Sequence, residues 1–456
     1  MRVVNARAIT SSTMSERETI FAVATPPGRS GVAVLRVSGP HATHALKSLT
    51  RRDLPAPRVA TLMRLFADDA AIDDALVLYF QAPKSFTGED VVELHLHGGP
   101  AVIAAALRAL GALDGLRLAE AGEFTRRAFE NGRLDLAEVE GIADLIAAET
   151  EAQRRQALRQ AEGALSRLHD RWRDRALKAL ARLEAFIDFP DEDLPDQLRA
   201  TIDSDLRDLA SEIAAHLADD HRGERLRDGL TIAILGAPNV GKSSLLNRLA
   251  QREAAIVSAI AGTTRDVIEV RLDLAGYPVT LADTAGLRQS MDEVEAEGVR
   301  RALARAEQAD LKILVFDGGR WPAIDPQTAK LIDDAALLVL NKAELLRDPE
   351  LVSIGGRTVI ETSAKTGLGL ETLVGAIGRR AAALMNTGEG VVVTRARHRS
   401  ALEEAQAGLH RAIAAGLPEL KAEDLRLALR ALGRIAGRVD VEDVLDVIFR
   451  EFCIGK

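Results

Sequence analysis

The sequence predicts a multidomain protein of mixed α/β and α class. It has an N-terminal α+β domain, a central helical domain, and a P-loop nucleotide domain with a doubly wound sheet inserted between the helices. Three observations lead there. An apolar, β-branched run, Leu230 to Leu235, breaks into the turn Gly236-Ala-Pro-Asn239-Val240-Gly241-Lys242-Ser243-Ser244 and then into Leu245-Leu246-Asn247-Arg248-Leu249, which reads as strand, phosphate loop and helix. Stretches rich in Ala, Leu, Arg and Glu, with helical period, lie on both sides of it, from Leu136 to about Arg227 and from about Arg397 to Phe452. Ahead of these, from Thr19 to about Leu134, strand-like runs alternate with turn signals.

A chain of 456 residues with 47% hydrophobic content has room for about three domains with real cores. The formal net charge of -9 offers no global positive field, so any RNA contact is local or shared with a partner. Cys453 is the single cysteine, so no intramolecular disulfide can form, which fits a reducing cytosol. No apolar run approaches the length of a membrane span and the N-terminus lacks a signal-peptide core; the expectation is a soluble, cytoplasmic protein with no membrane partner.

Residues 1–17 read as a disordered extension, the first thirteen without pattern and Met14 a natural start of its own. The N-terminal domain spans 18–134, with strands expected at Ile20 to Thr25, Val32 to Val37 and Asp74 to Phe80. Within it Val92-Glu93-Leu94-His95-Leu96-His97 has strict period two, so Glu93, His95 and His97 share one face. That polar row is solvated or lines a site; same-face neighbours stand roughly 7 Å apart, which disfavours one metal ion on all three. Gly98-Gly99-Pro100 ends the strand and a helix follows to Leu110. The helical domain opens with residues 135–227, broken at Phe189 to Pro195, and the arginines Arg154, Arg155, Arg159, Arg167, Arg171, Arg173 and Arg175 suit either RNA or a solvated face with intrahelical pairs. The nucleotide domain covers 228–384, and the helical domain resumes over 385–456.

In the phosphate loop, Gly236 and Gly241 let successive N–H groups converge on phosphates, Lys242 reaches the β- and γ-phosphates, and Ser243 suits Mg²⁺. Ile260-Ala261-Gly262-Thr263-Thr264-Arg265-Asp266 offers a hydroxyl, Thr264, to complete the Mg²⁺ shell and sense the γ-phosphate. Asp283-Thr284-Ala285-Gly286 follows a strand; Asp283 holds Mg²⁺ through water and the Gly286 N–H meets the γ-phosphate. The strand ending at Leu340 delivers Asn341-Lys342-Ala343-Glu344 for the base, with Ser363-Ala364-Lys365 closing the far side. Glu344 stands where guanine readers carry an aspartate; it keeps the acceptor pair that guanine needs but erodes the fit. Leu287 follows Gly286, so the water-orienting glutamine of the Ras type is missing, and Asp292, Glu293, Glu295 and Glu297 are either a helix-start acidic cluster or a source of a catalytic carboxylate. Asn239 is either a turn residue or a ligand for a monovalent cation.

The chain resembles the MnmE (TrmE) family of tRNA-modifying GTPases from about Glu18 to Lys456. The resemblance runs through Ala24-Thr-Pro-Pro-Gly-Arg29, Ser85-Phe-Thr-Gly-Glu-Asp90, Ile187-Asp-Phe-Pro-Asp-Glu192, the phosphate loop, Gly262-Thr-Thr-Arg-Asp266, Asp283-Thr-Ala-Gly-Leu287 and Phe452-Cys-Ile-Gly-Lys456. It implies a homodimer whose N-terminal domains bind 5-formyl-tetrahydrofolate or a related folate, and an inserted Ras-like G domain that pairs across K⁺ during hydrolysis of GTP to GDP. The GTP-binding set it implies is Asn239, Val240, Gly241, Lys242, Ser243, Ser244, Ser258, Ala259, Ile260, Ala261, Gly262, Thr263, Thr264, Asp283, Thr284, Ala285, Gly286, Asn341, Lys342, Ala343, Glu344, Ser363, Ala364 and Lys365. K⁺ falls to Asn239, Ser258, Ile260 and Thr263; Mg²⁺ to Ser243, Thr264 and Asp283; the attacking water to Glu295. Folate falls to Arg36, Glu93, Arg133 and Lys456, and Cys453 lies at the proposed chemical centre or is inert packing. The implied reaction, with the FAD-dependent partner MnmG, places an aminomethyl or carboxymethylaminomethyl group at carbon five of the tRNA wobble uridine. The competing reading is a ribosome-assembly RNA-binding GTPase switch, which usually carries a basic accessory domain; no such pattern occurs here.

Overall fold

The structure is a computed structural model that describes residues 18–188, 196–252, 269–283, 309–346, 353–388, 390–439, 445, 448, 449, 452, 454 and 455. The chain divides into two compact units, one formed up to Ala143 and from Ala436 onward, the other by Asp144–Ile435.

The first unit is built on a six-stranded sheet. Its strands are β1 (Thr19–Val23), β2 (Ser30–Ser38), β3 (Thr61–Ala67), β4 (Ala70–Phe80), β5 (Val91–Gly98) and β6 (Leu116–Leu118), in the order β3-β4-β5-β2-β1-β6. All neighbours are antiparallel except β1 and β6. Helices α1 (Ala42–Thr50) and α2 (Pro100–Gly111) bury Leu46, Leu49, Ala106 and Leu110 against Leu35, Leu65, Val77 and Leu94 of the strands. The period-two reading of β5 holds: Val92, Leu94 and Leu96 are buried, Glu93 and His95 half-buried, His97 exposed.

Helix α3 (Glu123–Glu130), α4 (Leu136–Ala147) as far as Ala143, and the C-terminal residues complete this unit. Ile448, Phe449 and Phe452 pack on Leu136 and Val139 of α4, and Ile454 bridges to Ala121. Gly455, at φ +97°, lies so close to β1 that an added Cβ would stand 2.3 Å from the Val23 carbonyl oxygen. The described residues from Ala436 on thus make these contacts within the first unit. Their apolar side chains fill a face of α4 from the far end of the chain, about the hardest pairing to read locally.

The second unit contains the helices and the nucleotide domain. Helices α5 (Glu151–Ala161), α6 (Ala164–Asp188), α7 (Asp196–Leu217) and α8 (Arg222–Asp228) lead into β7 (Leu230–Leu235), α9 (Lys242–Arg252), β8 (Glu269–Leu274), β9 (Tyr277–Asp283), β10 (Leu311–Asp317), β11 (Ala336–Asn341), β12 (Ile360–Glu361) and α10 (Leu370–Met385). Then α11 (Ala396–Ala414) and α12 (Pro418–Ile435) return to α6 and α7. The break expected at Phe189 to Pro195 lies outside the described residues. Strand order is β12-β11-β10-β7-β9-β8, parallel except for the edge strand β8. Ile232 and Ile234 face α9 and α10, while Ala233 and Leu235 face the other side beside Leu314 and Phe316. Burial on both faces is why β7 reads as an unbroken apolar run. The four long helices share a core of Trp172, Ile213, Leu402, Leu409, Leu425 and Leu432. At Gly408 an added Cβ would lie 3.1 Å from the Cβ of Ala428, so α11 and α12 approach closely there.

Candidate functional site

The phosphate loop is shaped by three residues with positive φ: Gly236 at +155°, Asn239 at +64° and Gly241 at +94°. Glycine is required at two of them for space as well as conformation. An added Cβ would sit 2.4 Å from the Val315 carbonyl oxygen at Gly236 and 2.3 Å from Asn341 Nδ2 at Gly241. Lys242 opens α9 and turns its Nζ back onto the loop, donating to the carbonyls of Gly236 at 2.9 Å and Ala237 at 3.0 Å. A positive helix start and a lysine thus converge where phosphates would lie.

The loops that the sequence assigns to the base are joined to that loop by side chains at the carboxyl end of β11. Asn341, 1% exposed, donates from Nδ2 to the Val240 carbonyl at 2.8 Å and accepts at Oδ1 from the Ala364 N–H at 3.1 Å. Lys342, at φ +62°, donates from Nζ to the Asn239 carbonyl at 2.8 Å and to Asp317 Oδ2 at 2.7 Å. Burial pushes the Asp317 carboxyl up, but Lys342 and the Gly319 N–H outweigh it and hold it below its ordinary range. Asp317 ends the apolar run of β10, and its role as the anchor of Lys342 was not foreseen; the signal was a lone carboxylate at a strand's carboxyl end. The Ser363 hydroxyl and Glu344's own N–H draw the Glu344 carboxyl below its ordinary range. Ser363 Oγ also accepts from the Thr366 N–H at 3.0 Å.

Asp283 ends β9, on the same side of the sheet as the phosphate loop and Asn341. Ser258, Ala259, Ile260, Ala261, Gly262, Thr263, Thr264, Thr284, Ala285, Gly286, Glu295, Cys453 and Lys456 lie outside the described residues.

On the N-terminal sheet Arg36 of β2 and Glu93 of β5 are cross-strand partners. Arg36 donates to Glu93 Oε1 from Nε at 3.0 Å and from Nη2 at 2.8 Å, and its guanidinium lies 5.5 Å from the Phe86 ring and 5.6 Å from that of Phe124. The pair is half-buried, with side chains 20% and 16% exposed. The two rings were not anticipated, since they come from segments remote in sequence. Arg133 extends along Gly88, where an added Cβ would lie 3.2 Å from Arg133 Cγ. His97 is engaged by Asp73 at 2.7 Å and His95 by Glu93 at 3.6 Å. Among the described residues no group of three His, Cys, Asp or Glu is arranged to hold a metal.

Two family models match the chain: one described as the GTP-binding protein TrmE N-terminus over residues 19–133, the other as the MnmE helical domain over residues 136–453. The chain belongs to the MnmE family of tRNA modification GTPases. It is a GTP-hydrolysing enzyme. Members similar to it include the tRNA modification GTPase MnmE of Parvibaculum lavamentivorans, 60% identical over 96% of this chain and 100% of that one. Those of Rhodospirillum rubrum and Paramagnetospirillum magneticum are each 58% identical over 96% of this chain, and over 99% and 100% of theirs. Among solved structures, the G domain of the T. maritima FeoB iron transporter is 27% identical, covering 33% of this chain and 98% of that one at a TM-score of 0.25. Among the described residues no helix is long and apolar enough to cross a membrane.

Proposed function

We propose that this MnmE-family chain hydrolyses GTP to drive modification of the tRNA wobble uridine. With MnmG it adds an aminomethyl or carboxymethylaminomethyl group at carbon five, using a one-carbon unit from 5-formyl-tetrahydrofolate or a related folate. The observation that carries the GTP half is Asn341: one buried side chain bonds both the phosphate loop and the Ala364 N–H, so base and phosphates are held by a single frame.

Binding starts from groups already in place. Lys242 exchanges its bonds to the Gly236 and Ala237 carbonyls for β- and γ-phosphate oxygens. Lys342 lies over the base while Asp317 fixes its ammonium and Asn239 its reach. Glu344 accepts guanine N–H groups, its carboxylate steadied by Ser363. Ser243, Thr264 and Asp283 hold Mg²⁺, and Asn239, Ser258, Ile260 and Thr263 hold K⁺; Asn239 suits that role because it is exposed at the lip of the loop with its backbone fixed at φ +64°. When bound, the two cations supply the positive charge that hydrolysis needs in place of an arginine finger. Glu295 orients the attacking water, and pairing of two G domains completes the cation site.

On the N-terminal domain Glu93 accepts two pterin N–H bonds, Arg36 orients that carboxylate between Phe86 and Phe124, and Arg133 and Lys456 meet the ligand's carboxylates. A half-buried ion pair bordered by two rings fits a flat, hydrogen-bonding heterocycle. Cys453 acts near the one-carbon unit.

GTP hydrolysis measured in K⁺ and in Na⁺ at equal ionic strength tests the cation role; hydrolysis is expected to be faster in K⁺, and equal rates overturn it. In a strain lacking the protein, the wild type is expected to restore the wobble modification, and Cys453→Ser and Glu295→Ala to leave it absent. Restoration by both variants overturns their assigned roles.

A further inference from the structure

The two connections of the inserted nucleotide domain run side by side and close on one carboxylate. The incoming connection is α8, separated from β7 by Gly229 alone. The outgoing one is the stretch ahead of α11 that ends at Arg395. Gly223 of α8 passes so near it that an added Cβ would lie 2.2 Å from the Val393 carbonyl oxygen, so a side chain is excluded there. Asp144, in the last turn of α4, accepts at Oδ1 from both connections: from Arg227 Nε at 3.1 Å and from Arg395 Nη2 at 2.7 Å. The side chains of Asp144 and Arg395 are each 9% exposed, so solvent screens this pairing little.

Helix α5 holds the same two connections and a third point. Gln153 Nε2 donates to the Arg227 carbonyl at 3.0 Å, and Thr394 Oγ1 donates to Gln160 Oε1 at 3.0 Å. The Ala152 N–H donates to the carbonyl of Gly276, in the turn between β8 and β9, at 3.1 Å. From that turn β9 runs straight to Asp283, seven residues that span roughly 20 Å. A shift at the nucleotide end of β9 would therefore have a covalent and hydrogen-bonded path to α5, and from α5 to both connections. The contact is polar and incompletely filled: a cavity of about 250 Å³ is bordered by Asp144, Gln153, Arg227, Arg271 and Thr280. An ion-paired contact beside a void can re-pair, whereas a close-packed apolar one resists.

We infer that Asp144 is a positioning residue that passes the nucleotide state of the inserted domain to the helical domain, holding Arg227 and Arg395 on one oxygen in one nucleotide state and parting them in the other. This rests on the GTP hydrolysis proposed above, and supplies the residue through which a nucleotide-dependent change would leave the nucleotide domain.

Amide hydrogen exchange of the full chain with GDP and with a non-hydrolysable GTP analogue tests it. Residues 236–244 report nucleotide binding; residues 391–400 report the outgoing side of the clasp. In the wild type, exchange in 391–400 is expected to differ by about fivefold or more between the two states. In Asp144→Asn the difference is expected to fall below about twofold, with the response of 236–244 intact and GTP turnover within about twofold of wild type. Asp144→Glu, which keeps the carboxylate, is expected to retain some of the difference. Should Asp144→Asn fail to fold, Arg395→Lys, which keeps the charge and loses the guanidinium reach, carries the same expectation. A wild type in which 236–244 responds and 391–400 does not overturns the inference, as does a full difference in the folded variant. No response at 236–244 overturns the nucleotide reading beneath it, and the inference with it.

Discussion

The two six-stranded sheets put their chemistry in different places. In the nucleotide domain Asn341, Asp317 and Asp283 stand at the carboxyl ends of β11, β10 and β9, and the phosphate loop follows β7. On the N-terminal sheet Arg36 and Glu93 stand mid-strand, facing each other across β2 and β5. Parallel strands bring all their carboxyl ends to one edge, so loops and backbone N–H groups can converge there. Antiparallel strands alternate direction, and only a row of side chains on one face can converge. One site is therefore governed by backbone conformation, the other by register and charge. The two should fail under different substitutions.

The largest expected effect is at the strand-end site. Lys242→Ala is expected to lower GTP hydrolysis about 10³-fold, as loss of a positioned charge on developing phosphate charge does. Folate binding by the same variant, followed by equilibrium titration, should be unchanged. A parallel loss of folate affinity would mean that the two sites are not separate. Gly241→Ala comes next, because its Cβ would meet Asn341 Nδ2 at 2.3 Å and its φ of +94° is unfavourable for alanine. Strain of about 1–3 kcal/mol corresponds to a fall in GDP affinity of roughly 5- to 150-fold, measurable with a fluorescent nucleotide.

The strand-face site should show the reverse pattern. Glu93→Gln keeps the shape of the side chain and removes the charge that Arg36 holds and the proposed pterin would share, so folate affinity is expected to fall about 10- to 100-fold. GTP hydrolysis should stay near wild type, since Glu93 belongs to the first unit and the phosphate loop to the second. A drop in hydrolysis matching the drop in folate affinity would break the comparison from the other side.

The same contrast governs what could be read from the sequence. The nucleotide site was legible because each of its elements occupies a contiguous loop: Gly236 to Ser244, Asn341 to Glu344 and Ser363 to Lys365 each fall where a strand or turn pattern marks them. Asp317 escaped notice because a single carboxylate carries no spacing; only the pairing of β10 with β11, which sets Asp317 beside Asn341, gives it a partner. On the N-terminal sheet the period-two row of β5 was plain, but Phe86 and Phe124 reach Arg36 from outside the strands. The association of Phe449 and Phe452 with Leu136 and Val139 was hidden for the same reason, since pairings between distant segments leave no local period.

Base selectivity tests how finely the strand-end site is tuned. In the proposed function Glu344 reads guanine, and the Ser363 hydroxyl draws its carboxyl down, so recognition would rest on two residues where an aspartate would act alone. Glu344→Asp is expected to raise the preference for GTP over ATP by about tenfold in equilibrium binding, because a shorter carboxylate meets the base without that adjustment. An unchanged ratio would mean that Ser363 already restores the fit in full.

The smallest effect at neutral pH separates both sheets from the helices. Among the described residues the fully buried histidines, His169 and His398, both lie in the helical core, with the His169 ring 5.5 Å from that of Trp172. Burial holds His169 well below the ordinary histidine value, and His398, His216 and Arg397 push the same way. Burial also lowers His216, with Arg399 assisting and Asp219 opposing. Each gives up its proton more readily when folded than when unfolded, so its stability contribution is complete above the ordinary histidine value and is lost as the pH falls through its lowered folded value. Between its folded and unfolded values each histidine adds a slope of at most about 1.4 kcal/mol per pH unit. The chain has 2 tryptophans, one in each region: Trp172 reports the helices and Trp321 the nucleotide sheet. Urea unfolding of Trp321→Phe followed by Trp172 emission between pH 7.5 and 5 should lose stability with acid, and His169→Gln should flatten that slope by about one proton's worth. The Trp172→Phe protein, reporting through Trp321, should show a smaller slope if the sheet unfolds apart from the helices; equal slopes would mean that the second unit unfolds as one body.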